Sequence, residues 1–562
     1  MIKKYGFLLV LPFIAALVTL AVKFSLGPYW LGRTSDPAYF HLVQSLYLFK
    51  GVAPFHIVHP AAPLMALIVL VVKLFNPWAP VPELLAQALS NPEFYLNSVY
   101  WVLFTASFLS FILVGVYAFR RTASRTFALF FQVPAFLYLA LPGHGWFILA
   151  SVTAEMGLVP AINLFFMCLI KIYANHKAAA SLRSALLFAL ACAFGLALKI
   201  TFLAALIVPL FLLKGRKVQC FFVGSVAVLF GLFLFPVWGR MELIVWTVVG
   251  LVTSSGPLGS GTHNGFIAWD GMWNNAGVLF RDQWAVCAVF VVGALWSGWR
   301  LARRSGSREE RIILVLCLAA GVHFLMIIKH GTYRYFQLDL ALAGAVMAFL
   351  TRSLAAAGWW RVRWSAILLV VVVLLSGVQG VGQAYDLNGW RKKKLEFLER
   401  IRARYPQDVI LGYYPSSGQG NALFVANDIR NGRVLGDELN RLYPGRFFFA
   451  SWNYRVSDFK DVVYLSDIQK LSAGVYFQGD CAFRFEQGPY RVTRVEEDDG
   501  ECLFRLDSSL EPRALAEWSR AKTAWNRDDF SGACLAAKKS LASRFYPPAL
   551  PRQMIRRACG QK

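Results

Sequence analysis

The chain has 562 residues, 57% of them hydrophobic, with 46 Phe, 18 Trp and a mean hydropathy of +0.50; this composition excludes an ordinary soluble protein and marks a polytopic membrane protein. Its 57 Lys and Arg against 32 Asp and Glu give a formal net charge of +25. Much of that basic charge lies in short clusters between apolar runs, where it orients spans, so it does not imply a nucleic-acid partner.

The first apolar span runs over residues 5–24, and Lys3 and Lys4 place its N-terminal side in the cytoplasm. The sequence SLGPYW follows directly, with no small-residue cleavage signature, which predicts an uncleaved first helix. The outward loop that begins there holds Asp36, the first acidic residue of the chain. Two readings apply to it. A lone carboxylate at the membrane surface suits a general base, and Asp36-Pro37 also suits the start of a helix, with Asp at N-cap and Pro at N1. The apolar run 61–76 opens with His59-Pro60 and Pro63 and closes with Asn76-Pro77, and it is short for a crossing. If it crossed, Arg120, Arg121 and Arg125 would fall outside, so the pattern predicts an interfacial juxtamembrane helix.

Span 97–119 returns to the cytoplasm. Further spans are predicted at 127–141, 146–170, 184–198, 201–213, 218–237, 284–301, 311–328, 335–351 and 364–384, and the basic clusters fall at the inward turns. The count is about eleven, and an odd count puts the C-terminus outside. The pair 184–198 and 201–213 is short, with Lys199 at its apex. A lysine facing lipid would cost about 2.5 to 3.5 kcal/mol, so a water-filled recess is expected there.

Three more outward segments carry polar residues. One holds Pro142, His144 and Trp146 and is followed by Glu155; the loop 238–283 holds GSGTHNGFIAWDGMWNN; the turn KHGTYRYF holds Lys329, His330, Arg334 and Tyr335. Residues 386–562 then change in kind. DVILGYY, NALFVAND, RFFFASWNY, DVVYLSD and AGVYFQG read as strands, and 390–404 and 511–543 as helices, which predicts an extracytoplasmic α/β domain after a transmembrane domain of residues 1–385. Four of the nine cysteines lie in this part, and Cys481 with Cys502 plus Cys534 with Cys559 is the simplest of three pairings.

The order of these features resembles the GT-C glycosyltransferases, and within them the bacterial aminoarabinose transferases and protein O-mannosyltransferases. Asp36 with Tyr39 three residues on is similar to that family's first-loop motif, although Pro37 stands where a second acid is usual. HPAAPL is similar to its Lys-Pro-Pro-Leu opening of the juxtamembrane helix, with His59 in the place of Lys. FGLALKITFLAAL carries over Lys199, KHGTYRYF resembles the outward Lys and Tyr or Arg turn, and Glu155 stands where an acid often follows the third span. The resemblance covers roughly residues 1–350.

It implies a GT-C-like fold of about eleven transmembrane helices with juxtamembrane helices in the first outward loop. It also implies an inverting, polyprenyl-phosphate-sugar-dependent glycosyltransferase of the inner (plasma) membrane. Attack at C1 of the donor needs a base for the acceptor proton and cations for the departing phosphate. Asp36 is the candidate base, Lys199, Arg334 and Lys329 are candidates for the phosphate, and His59 is a candidate phosphate or acceptor contact. Glu155 is a candidate to orient the acceptor or to hold a divalent cation with Asp36; alternatively it is a buried acid paired with Lys199 or another cation. No other cofactor is implied. The implied partners are the lipid-linked donor, membrane lipid and a glycan, lipid or protein acceptor. A lipid-linked sugar flippase, a glycan ligase or polymerase, and a scaffold or receptor remain as alternatives. Against a transporter, no internal repeat is visible; against a nucleotide-sugar donor, no glycine-rich nucleotide loop or Asp-x-Asp pair occurs in a cytoplasmic segment.

Overall fold

The computed structural model describes residues 5–31, 38–55, 57, 60–141, 148–253, 269–329, 333–413, 415–428, 432–450, 455–461, 463, 468, 474–483, 490–498, 500–509 and 520. The chain is a mostly helical polytopic membrane protein with a small C-terminal sheet. In order, the helices are α1 (Phe7–Leu26), α2 (Ala38–Leu46), α3 (Ala62–Phe75), α4 (Val81–Ser90), α5 (Pro92–Thr122), α6 (Arg125–Phe130), α7 (Pro134–Leu139), α8 (Ala154–Ala174), α9 (Leu182–Leu198), α10 (Ile207–Leu212), α11 (Arg216–Phe233), α12 (Met241–Thr253), α13 (Trp269–Asp282), α14 (Trp284–Ala302), α15 (Arg308–Ile328), α16 (Gln337–Ala356), α17 (Val362–Arg404), α18 (Gln419–Asp428) and α19 (Gly436–Leu442). Among the described residues, eight helical segments are long and apolar enough to cross a membrane, and 62–75, 125–139, 182–198 and 200–212 are shorter apolar segments. Among the described residues, a count of eleven crossings therefore requires three of these four shorter segments to span.

Differences from the predicted spans have local causes. Span 146–170 starts only at Ala154, because the Thr153 hydroxyl caps α8 by accepting from the Met156 N–H at 3.2 Å. The predicted span 364–384 and helix 390–404 are one helix, α17: no proline interrupts the run, and Gly389 alone is too weak a breaker. The loop 238–283 contains α12 and α13.

Two compact units result. The first comprises Met1–Ser25, Ile57–Leu67 and Asn97–Tyr385. In its interior, α16 and α8 have 83% and 72% of their apolar windows buried, against 17% for α11 and α14, so the first pair forms the centre and the second pair the rim. The rim exposes Val228, Leu232, Val291 and Leu295, side chains that suit contact with hydrocarbon. Around the centre Phe127, Phe131, Phe166 and Phe349 meet edge to face or tilted, with centroids 5.2 to 6.1 Å apart.

The second unit comprises Leu26–His56, Ile68–Leu96 and Asp386–Lys562. It therefore takes in parts of the first outward loop that the sequence reading placed with the transmembrane domain. Its sheet has the order β1-β4-β6-β5, where β1 is Val409–Gly412, β4 is Val475–Asp480, β5 is Tyr490–Asp498 and β6 is Glu501–Ser509. The β1/β4 pair is parallel and the rest antiparallel. A separate hairpin joins β2 (Phe448–Ala450) to β3 (Arg455–Ser457). The predicted strand NALFVAND is instead helix α18: all of Ala422–Asp428 is buried, and a short, fully buried apolar run carries no periodicity that separates strand from helix. DVVYLSD and the predicted helix 511–543 fall largely outside the described residues.

Buried polar contacts fix α2 to α18 within this unit. The Gln44 side chain donates to the Ala426 carbonyl at 2.9 Å and accepts from the Phe55 N–H at 2.8 Å, and the Tyr47 hydroxyl lies 2.9 Å from both oxygens of Asn427. Asn427 in turn accepts from the Leu435 N–H and donates to the Phe459 carbonyl. Each of these buried groups has its partner, which is the condition under which polar groups specify a packing arrangement without destabilising it.

A disulfide joins Cys481 to Cys502 across the β4/β6 edge, with Cα atoms 5.0 Å apart; Cys534 and Cys559 lie outside the described residues. Replacing both Cys481 and Cys502 with Ala should lower the stability of the second unit by about 3 kcal/mol, the loop entropy for a separation of 21 residues. Pulse proteolysis of the oxidised wild type and the double variant checks this, and equal cleavage midpoints would show that the bond contributes nothing.

Candidate functional site

The first unit brings together residues that lie far apart in the sequence. Helix α9 ends at Leu198, and Lys199 takes an extended backbone (φ −155°, ψ 122°) before a 3₁₀ turn over Ile200–Leu206. Gly195 permits the chain to turn back so tightly: a Cβ there would lie 2.4 Å from the Phe202 ring. The break leaves Lys199 pointing into the interior with 2% of its side chain exposed.

There its Nζ donates to Glu155 Oε1 at 2.5 Å. Glu155 sits in the first turn of α8, where the helix dipole favours a carboxylate, and only 6% of its side chain is exposed. Arg334 approaches the same oxygen with Nε at 4.0 Å. The Tyr335 ring underlies both cations: Lys199 Nζ is 4.0 Å and Arg334 Cζ 5.2 Å from its centroid, and Arg334 Nη2 donates to its hydroxyl at 3.3 Å. The Gln337 side chain, on the first residue of α16, donates to the Glu155 backbone carbonyl at 2.8 Å and ties α16 to the start of α8.

A second sequence motif joins this group through the backbone. Ala61, in HPAAPL, donates its N–H to the Leu198 carbonyl at 3.3 Å, the residue before Lys199. It does so from a left-handed conformation, φ 46°, which an alanine adopts only at a cost in conformational energy. The two stretches that resemble separate family motifs are thus hydrogen-bonded neighbours.

Asp36 and His59 lie outside the described residues, as do His56, His144, His263 and His330. Lys329 follows the end of α15 and is partly buried, and burial lowers its pKa below the ordinary lysine value. Among the described residues, three potential metal ligands cluster at Cys481, Glu497 and Cys502, but two of them are the disulfide sulfurs. Glu155 is a buried acid of the first unit that two cations approach at once.

Residues 29, 30 and 39, on either side of 32–37 in the sequence, meet on one acid. Glu93, in the first turn of α5, accepts from the Tyr29 N–H at 3.0 Å and the Trp30 N–H at 3.3 Å, and from the Tyr39 hydroxyl at 3.0 Å. Burial, and then the charge of Glu93, raise the Tyr39 pKa far above the ordinary phenol value, which keeps this donor protonated. Sequence reading singled out Tyr39 but passed over Glu93, whose local pattern is only that of a helix-start acid. Glu93→Ala should leave two backbone donors without their acceptor and lower the stability of the second unit by about 2 to 4 kcal/mol. Glu93→Gln should recover part of that loss, since its carbonyl still accepts. Hydrogen exchange at residues 29–31 and 38–46 reads both, and unchanged protection in Glu93→Ala would refute the role.

Sequence reading also passed over a buried pair between α15 and α16, His323 Nδ1 to Asp339 Oδ2 at 2.8 Å, both almost fully enclosed. Tyr335 likewise was recognised only as part of a polar turn.

Neither a protein-family model nor a curated protein matches the chain. Among solved structures it is similar to ArnT from Cupriavidus metallidurans bound to undecaprenyl phosphate, with a TM-score of 0.44 and 13% sequence identity over 88% of this chain and 97% of that one.

Proposed function

We propose that the chain is an inverting membrane glycosyltransferase that moves a sugar from a polyprenyl-phosphate carrier to an envelope acceptor on the outer side of the inner (plasma) membrane. The observation that carries this reading is the convergence of Lys199, Arg334 and Glu155, drawn from three distant parts of the chain and hydrogen-bonded through Leu198 to the HPAAPL stretch. Lys199 and Arg334 both approach the Glu155 carboxylate in an apolar setting, where charge is costly to bury.

The roles follow from chemistry. In the transfer, an acceptor hydroxyl or amine attacks C1 of the donor sugar, the C1–oxygen bond to phosphate breaks, and the acceptor proton leaves to a base. Arg334 presents a planar pair of donors that matches a phosphate, and Lys199 a point charge. Both stabilise the negative charge that grows on the leaving oxygens. Glu155 holds Lys199 in place before substrate binds, and its other role, orienting the acceptor or holding a divalent cation, is left to experiment. Asp36 is assigned the base, His59 a phosphate or acceptor contact and Lys329 a further phosphate contact, all on the resemblance of the sequence. The N-terminus is assigned to the cytoplasm and the C-terminal α/β region, residues 386–562, to the outside on the charge rule.

The direct test is mass spectrometry of envelope glycolipids, polysaccharide and glycoproteins from a strain lacking the protein, with and without complementation. A sugar that disappears and returns with the wild-type gene supports the transferase reading. Loss of the same sugar with its lipid-linked donor accumulating on the inner leaflet would instead favour a flippase.

A further inference from the structure

The second unit carries a pocket of about 470 Å³, within the size range of small-molecule sites, lined by Phe75, Asn76, Gln87, Asn91, Phe94 and Tyr95. It is built where α3 ends, α4 ends and α5 begins. Phe75 and Phe94 form its aromatic wall; they are half exposed, and their centroids are 4.9 Å apart. Tyr95 is buried at its base, and its hydroxyl accepts from Asn76 Nδ2 at 2.8 Å, which leaves the Asn76 carbonyl oxygen for another donor. Gln87 is oriented in the same way: its Nε2 donates to Glu83 at 3.0 Å, and its Oε1 is the remaining acceptor. Asn91 is exposed and offers both a donor and an acceptor.

Among the described residues, no charged residue lines the pocket. The nearby cation Lys73 is turned to the Ala79 carbonyl at 3.4 Å. A phosphate or carboxylate would therefore find no counter-charge, whereas a neutral polyhydroxylated ring would find what it needs. Its C–H faces pack on aromatic rings, and its hydroxyls both donate to and accept from carboxamides. Leu70, Leu74 and Trp78, in the same stretch of chain, are 53%, 67% and 94% exposed, an apolar strip that suits an alkyl or prenyl chain. We propose that this pocket binds the neutral saccharide headgroup of an amphiphile, with the lipid chain along α3. The proposal does not depend on the transferase reading, since it concerns binding without turnover.

The test uses the full chain in nanodiscs of zwitterionic phospholipid and n-dodecyl-β-D-maltoside as probe, read by saturation-transfer difference NMR at the sugar protons. Wild type is expected to transfer saturation to the maltose protons, and Gln87→Ala/Asn91→Ala to reduce binding at least about fivefold. Dodecylphosphocholine, which has the same chain and a phosphate headgroup, is expected not to compete. Free maltose should bind at least about tenfold more weakly than the maltoside. Circular dichroism and melting of the double variant should match wild type. Unchanged binding in the double variant, or equal competition by dodecylphosphocholine, would overturn the saccharide assignment; equal binding of free maltose would overturn the amphiphile assignment.

Discussion

Lys199→Met is expected to lower sugar transfer about 100-fold or more, the loss that follows removal of one preorganised charge partner from a developing anion. Among the described residues, the same change leaves Arg334, at 4.0 Å, as the cation that opposes the buried Glu155. Breaking one side of a buried ion pair costs about 3 to 5 kcal/mol, so the variant should also melt at a lower temperature. These two effects are separable. In Lys199→Met/Glu155→Gln neither buried side chain carries a charge, so most of the stability should return, while transfer stays low because the phosphate has lost its lysine. Activity measured in proteoliposomes with a lipid-linked donor, beside thermal unfolding, distinguishes the outcomes. If the double variant recovers turnover together with stability, Lys199 and Glu155 are a structural ion pair, the alternative that their sequence positions had left open.

Asp36→Asn should reduce transfer by about 10²- to 10⁴-fold, the range for loss of a general base. The exchange keeps the shape and the ability to cap a helix, so expression should not change. Complementation of the deletion strain at matched protein level, followed by glycolipid mass spectrometry, is the measurement. Full restoration by the Asn variant would make Asp36 a helix cap and would leave the flippase and scaffold readings ahead.

The fold was legible in the sequence where charge and apolar length act together. The basic clusters at Arg120–Arg125 and Arg300–Arg311 mark turns between helices, and Pro63 with Asn76-Pro77 brackets α3 at Ala62–Phe75. The Cys481–Cys502 bond was also legible, because few cysteines lie outside the spans. NALFVAND was not: every one of its side chains from Ala422 on is enclosed, so tertiary packing and not periodicity decided its conformation. The β5/β6 hairpin had a usable signal, alternation in YRVTRV and an Asp-Gly turn in which Gly500 takes φ 83°. Of the candidate site, Lys199, Glu155 and Arg334 were each visible as a rare charge in an apolar setting. Their partners were not. Tyr335 is an ordinary aromatic until Lys199 lies over it, and Glu93 is an ordinary helix-start acid until Tyr29, Trp30 and Tyr39 are seen to meet on it.

The second unit is assembled from three separated lengths of chain, and this sets a schedule for synthesis. Its first length ends at His56, while β6, which completes the sheet, ends at Ser509. At about 5 to 20 residues per second, the ribosome adds the intervening chain in a time on the order of 20 to 90 s. For most of that interval, until α18 (Gln419–Asp428) has been made, α2 lacks the helix it is fixed to, and its Leu42, Val43 and Leu46 are all fully covered in the finished protein. A stop codon before α18 would make that waiting state permanent and present it to quality-control proteases, so such partial products should be short-lived even when every membrane helix has been inserted.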